Sequence, residues 1–239
     1  MKKLLTILCA LLMVLSLSAC GKKEEDSTVV DEPVVDESPA MSYEEYTAAE
    51  LNSEVVLDLY AQASQSWWEN KITVYATDDK GNGVFVYELA CDEADADWFK
   101  DGNGFRVTGF KSEWSGEVEV TDATFTKLSQ TYTAEVKNMD EYFGDNDALL
   151  PYQNQLVAFT GVSVEDITYK NGEPGDDIYL TVSKDGKTMD LCVERYLTDP
   201  ESEVYTTVGE LEVGSVIDFE GFLYWYEGAN PHITSITVK

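Results

Sequence analysis

The sequence predicts a mainly β protein made of two five-stranded barrels in tandem, each with a short helix between its third and fourth strands. Three observations lead there. An aromatic turn occurs twice, as "GFKSEWSG" at Gly109–Gly116 and as "GFLYWYEG" at Gly221–Gly228. Each copy lies among apolar residues that alternate with period two, the signature of half-buried strands. The strand after each copy then breaks that period at a corresponding place. Val118 and Val120 share one parity and Ala123 and Phe125 the other, just as Ile233 gives way to Ile236 and Val238. A one-residue slip in both copies predicts a β-bulge, a device that bends the strands of small barrels.

The elements follow in order. "MSYEEYTAAEL" from Met41 reads as a short helix, and "EVVLDLYAQA" places Val55, Leu57, Leu59, Ala61 and Ala63 on one face of a first strand. Ile72, Val74 and Ala76 alternate with Thr73, Tyr75 and Thr77 in a second strand; "DDKGNG" supplies turn chemistry and "VFVYELA" returns as a third. "DEADADWF" predicts a short helix, and "FRVTGFK" with "EVEVTDATF" a hairpin around "SEWSG". The second half repeats this order: a helix near "MDEYF", a strand in "LVAFTGVSV", the loop "YKNGEPGDD", the hairpin "IYLTVSKDGKTMDLCV", a helical or irregular stretch through "DPESEVYTTVGEL", and a closing pair of strands. The expected domains are residues 41–128 and 129–239.

The amino terminus reads as an export signal: Met1-Lys2-Lys3, an apolar run from Leu4 to Leu17, then "LSAC" ending at Cys20. The run is too short to be an ordinary transmembrane helix. Small residues before a cysteine resemble the bacterial lipoprotein lipobox. That resemblance implies a signal peptide over residues 1–19, diacylglyceryl transfer to Cys20 and two acyl chains, enough for stable anchoring at the extracytoplasmic face of the cell membrane. Residues 20–40, acidic and without aromatics, read as a disordered tether with a mean span of about 25 Å. Of the four cysteines, Cys9 lies in the signal and Cys20 is the lipidation site, leaving Cys91 and Cys192; export permits one bridge between them, but each ends a strand in a different repeat, which favours two separate buried thiols.

Composition restricts the partners. Sixteen Lys plus Arg face 46 Asp plus Glu, a formal net charge of -30. Such a surface repels phosphate backbones, so nucleic acid is disfavoured; the members available for a local basic groove are Lys71, Arg106, Lys111 and Lys127. A single histidine, His232, supports neither a multi-histidine metal site nor a catalytic triad. "DDKGNG" fails as an EF-hand because Lys80 occupies a ligand position and Leu89 replaces the terminal glutamate, and Asp176 with Asp177 offers at most a weak cation loop. No phosphate-cradling glycine motif is present, and no cofactor, metal or catalytic residue is expected.

Five strands with a helix between the third and fourth is the OB-fold order. The chain resembles tandem OB-fold lipoproteins of Gram-positive gut bacteria related to clostridia through "SYEEY", "QSWWENK", "VYELAC", "GFKSEWSGEVEV", "DATF", "VSKDGKT" and "EGFLYWYEGANPHITSITV", which span Ser42 to Val238. The resemblance implies fold and location and transfers no activity. An OB-fold implies ligands on the barrel face between the loop joining strands one and two and the loop joining strands four and five. In the first domain those loops carry Trp67, Trp68, Asn70 and Lys71, then Glu113 and Trp114. In the second the equivalent turn carries Tyr224, Trp225 and Tyr226, next to Asn230 and His232. Flat aromatic faces beside amides and carboxylates suit a glycan, peptide or protein ligand at the cell envelope. The competing expectations are barrel plugs, an interaction subunit of an envelope assembly, and OB-fold nucleic-acid binding.

Overall fold

The computed structural model describes residues 39–239; the signal, Cys20 and most of the tether lie outside them. Helix α1 (Tyr43–Ala48) starts at a capping box: the Ser42 hydroxyl accepts the Glu45 N–H and the Glu45 carboxylate accepts the Ser42 N–H. Its last turn is closed by buried Lys111, whose Nζ donates to the carbonyls of Tyr46, Thr47 and Ala49 at 2.8–3.1 Å. Strands β1 (Glu54–Ser64), β2 (Lys71–Thr77), β3 (Gly83–Ala90), β4 (Asn103–Trp114) and β5 (Glu117–Thr131) then form a closed barrel in the order β1-β2-β3-β5-β4, with β4 returning to β1. Val55, Leu57, Leu59 and Ala61 fill its interior with Ile72, Val74, Val86, Phe99 and Phe105. Ala63 departs from the expected face. The register slips between Ala61 and Ala63, and Ala63 packs against an outer aromatic cluster instead. The expected helix after β3 is a 3-10 turn, Glu93–Trp98.

The predicted bulge lies in β5. Thr108 pairs with Thr124 and Phe110 with Thr121, so β5 carries one extra residue, and Asp122 there has φ +49°.

Residues beyond the barrel form a second, six-stranded sheet. It comprises β6 (Lys137–Asn138), β7 (Leu156–Tyr169), β8 (Ile178–Lys184), β9 (Lys187–Val193), β10 (Val216–Phe222) and β11 (His232–Val238), in the order β10-β11-β9-β8-β7-β6 with an additional β10–β7 pairing. Helix α2 (Asn146–Leu149) precedes β7; α3 (Arg195–Thr198) and α4 (Glu203–Gly209) lie between β9 and β10. The helix expected near "MDEYF" is a 3-10 turn, Asp140–Tyr142. Its own apolar core gathers Phe159, Leu180, Leu191, Phe219 and Trp225. The second predicted bulge is present too: Glu220 pairs with Ser235 and Gly221 with Ile233, which leaves Thr234 as the extra residue in β11.

The barrel and the second sheet meet through a third cluster of Tyr75, Phe85 and Phe222, bordered by Leu156, Leu197 and Tyr224. Alternation along β2 and β3 sends Val74, Ala76, Val84 and Val86 inward and leaves Tyr75 and Phe85 on the outer face, where Phe222 covers them. Tyr75 stacks on Phe222 with ring centroids 4.7 Å apart and meets Phe85 in a tilted contact at 5.0 Å, contacts worth about 0.5–1.5 kcal/mol each beyond the area they bury. Close approach is possible because position 83 is glycine: a Cβ there would fall 2.1 Å from the Asn154 carbonyl carbon.

Candidate functional site

The two aromatic turns pack on one another. In the first, Gly116 has φ +91° and a Cβ there would lie 2.8 Å from Trp225 of the second, so the glycine is required twice over. The Ser115 carbonyl accepts the Glu227 N–H at 2.8 Å, and the Gly116 carbonyl accepts from the Gln153 amide at 2.8 Å. Glu117 is fully buried at this junction, where its carboxylate accepts the Trp225 N–H at 2.9 Å and the Asn154 amide at 2.6 Å. Burial pushes its carboxyl well above the usual range, against the lowering effect of those two donors. The Tyr75 hydroxyl and His232 Nδ1 form a second buried link, a 2.6 Å bond joining the barrel to β11. Burial drives the His232 imidazole down to about 3, so it is neutral at physiological pH.

This packing carries Trp114 across to the second sheet. Its ring lies 5.4 Å from that of Tyr226, and the two side a cavity of about 650 Å3 over the outer face of β8 and β9. Tyr179 stands on the floor; Asp177, Glu194 and Asn230 lie around it, and Tyr224 stacks on His232 at 4.2 Å along one wall. Asp177 is buried, accepting from Lys170 Nζ at 2.8 Å and from the Arg195 N–H at 3.0 Å. Glu194 is buried too. Its Oε1 accepts the Tyr196 N–H at 3.1 Å, Oε2 has no hydrogen-bond partner, and desolvation raises its carboxyl to about 7. A smaller hollow of about 320 Å3 adjoins, sharing Trp114, Tyr224 and His232; a third, of about 540 Å3, shares Gln65 and Tyr87 with it and reaches Trp68, Lys71 and Tyr196.

The predicted residues therefore separate. Trp67 packs against the barrel core and donates Nε1–H to the Cys91 carbonyl at 2.8 Å, so it is a plug. Trp68 is 71% exposed, as expected of neighbours on opposite faces. Glu69 and Asn70 both have positive φ in a two-residue turn closed by the Trp68–Lys71 bridge, so Asn70 serves the turn, and Lys71 pairs with Glu88 at 2.5 Å. Glu113 is exposed on β4 beside Trp114 and does not line the cavity. Trp225 belongs to the core of the second sheet, while Tyr224 and Tyr226 face the cavity. Trp67, Trp68 and Trp114 do not line one cavity: Trp114 sides the main one with Tyr226, and Trp68 lines the third. Sequence reasoning missed Glu194, Glu117 and Tyr179. Of these only Tyr179 left a signal, as the outward neighbour of Ile178 and Leu180.

The candidate basic groove is dispersed as well. Arg106 pairs with Asp58 through two bonds of 2.7 and 2.9 Å, Lys111 caps α1, and Lys127 pairs with Asp95 at 2.6 Å above the Trp98 ring. Cys91 and Cys192 are both free and buried, and burial raises both thiols. Among the described residues no cluster of metal-ligating side chains occurs and no helix is long and apolar enough to cross a membrane.

No protein-family model and no curated protein matches the chain. Among solved structures it is similar to the p204 HINb domain, at 14% identity and a TM-score of 0.36, covering 80% of this chain and 100% of that one. It is also similar to the Ifi202 HINa domain in complex with 20bp dsDNA, at 11% identity and a TM-score of 0.35, covering 78% and 98%. A replication protein A heterotrimer bound to ssDNA matches at 11% identity and a TM-score of 0.31, covering 79% of this chain and 49% of that one.

Proposed function

We propose that this protein is a non-enzymatic binding module, built from two OB-fold-like barrels and held at the cell envelope by a lipid on Cys20, that takes an extended ligand along its adjoining aromatic hollows. One observation supports it most: Trp114, Tyr179 and Tyr226 are 39–54% exposed around a single cavity, and Trp68 and Tyr87 continue the line beyond it. Exposed aromatic faces with a few polar groups between them are what peptide and glycan sites use. The second-barrel assignment rests on the pairings β7-β8-β9-β11-β10 returning to β7, the ring order of the first barrel. On that reading the cavity covers strands two and three of an OB-fold, between its two ligand-flanking loops.

The absence of catalysis is supported by the chemistry of the wall. Cys192, the register partner of His232, is held as a thiol by burial, and the neutral imidazole has its Nδ1 engaged by the Tyr75 hydroxyl. DNA is the ligand named for two of the similar structures, and it belongs among the test ligands here, although the carboxylates of this cavity repel phosphate.

Intrinsic tryptophan fluorescence of the full chain, read with a quencher and then against peptides, envelope glycans and oligonucleotides, tests the proposal. A ligand-dependent change that disappears in Trp114→Ala supports it. A change that survives Trp114→Ala and disappears in Trp68→Ala moves the site to the hollow over β2 and β3, and no response to any ligand class rejects it.

A further inference from the structure

The charged and polar groups of the main cavity are not balanced. Asp166, Asp177, Asp190 and Glu194 line it against one cation, Lys170, which Asp177 already holds. Asp177 is satisfied by that lysine and by the Arg195 N–H, and Asp190 accepts from the Thr181 hydroxyl at 2.7 Å. Glu194 differs. Its side chain is 8% exposed, it lines the cavity, and its Oε2 is buried without a donor. Buried acceptors in folded proteins are nearly always paired, so a carboxylate buried without a donor at the edge of a cavity favours a positive charge nearby. The same cavity is lined by the Trp114 and Tyr226 rings, whose π faces attract cations.

We propose that this cavity receives a cationic nitrogen, an ammonium or guanidinium group, held between the Trp114–Tyr226 aromatic pair and the Glu194 carboxylate. The proposal rests on the binding-module reading and adds its ligand chemistry. A neutral sugar would stack on the same rings yet leave the buried carboxylate without a counter-charge, and an anion would meet four acids. A bound cation supplies the counter-charge that burial of a carboxylate requires. Burial raises the Glu194 carboxyl, and a nearby cation would lower it. Binding should therefore strengthen as pH rises through about 7, where the unoccupied carboxyl loses its proton.

Isothermal titration of the full chain decides this with four probes: a lysine-containing tetrapeptide, the same peptide with acetylated lysines, choline, and a neutral oligosaccharide. The expected result is binding of the lysine peptide or choline, at least tenfold weaker for the acetylated peptide, at least tenfold weaker in Glu194→Gln and in Trp114→Ala, and weaker at pH 5.5 than at pH 8. Peptide without choline identifies a basic side chain on a chain ligand, and choline alone a small ammonium compound. Equal binding of both peptides, or binding of the oligosaccharide alone, lost in Trp114→Ala and retained in Glu194→Gln, overturns the cationic ligand and leaves the binding module standing. Failure of every probe together with an unresponsive Trp114 signal overturns both.

Discussion

The outer face of strands two and three has opposite fates in the two halves. In the barrel, Tyr75 and Phe85 on that face are sealed beneath Phe222, whereas on β8 and β9 the same position is open and Tyr179 is 39% exposed at the floor of a cavity. One surface type serves as glue in the first half and as the floor of an open cavity in the second. The difference lies in what flanks the face. The Gly83 backbone lets Asn154 approach to contact and gives the barrel face a lid, while the loop after β7 and the turn before β11 stand beside β8 and β9 as walls.

The largest blow to this asymmetry is Phe222→Ala. It removes the ring stacked on Tyr75 and leaves a void between the halves, and a loss of about 3–5 kcal/mol is expected in denaturant unfolding. If stability barely changes, the barrel face is not sealed by that contact. Tyr75→Phe comes next. It keeps the ring but strands buried His232 Nδ1, at a cost of about 1–3 kcal/mol.

The same junction has a pH signature of two opposed slopes. His232 has its folded value lowered from 6.5 to about 3, so the unfolded chain takes up the proton first and stability drains as pH falls through that window; His232→Gln abolishes this slope. Glu194, raised from 4.5 to about 7, binds its proton more tightly when folded, so its contribution is complete at low pH and is lost as pH rises toward 7; Glu194→Gln abolishes that one. Unfolding curves of the two variants at pH 4 and pH 7 should therefore deviate from the parent in opposite directions. The smallest effect is Tyr179→Ala on the open face, within about 0.5 kcal/mol of the parent. A large loss there would mean that this face, too, is a structural seam.

Much of this plan was legible because strand chemistry is local. The parity break at Ala123 and the step from Ile233 to Ile236 located both bulges, and the doubled turn located both hairpins. Alternation also placed Tyr75 outward in β2, but nothing local says whether an outward aromatic is covered by a partner 147 positions later in the sequence, as Phe222 covers it. The site was half legible for the same reason. Trp114, Tyr224 and Tyr226 announced themselves as aromatic turn residues, yet that they come together from different halves is a long-range fact. Glu117 and Glu194 were indistinguishable from the other acids among 46, since burial, not identity, sets them apart.

One feature of the junction ties occupancy to architecture. Trp114 belongs to the barrel and Tyr226 to the second sheet, so a ligand seated between their rings touches both halves at once. Filling the cavity and holding the halves together then become one linked equilibrium. A ligand present at a hundred times its dissociation constant adds about 2.7 kcal/mol against any unfolding that separates those rings. Conversely, on the proposed binding reading, force or strain that parts the halves would eject the ligand, which would make the seam between the two halves at once a structural joint and a release point.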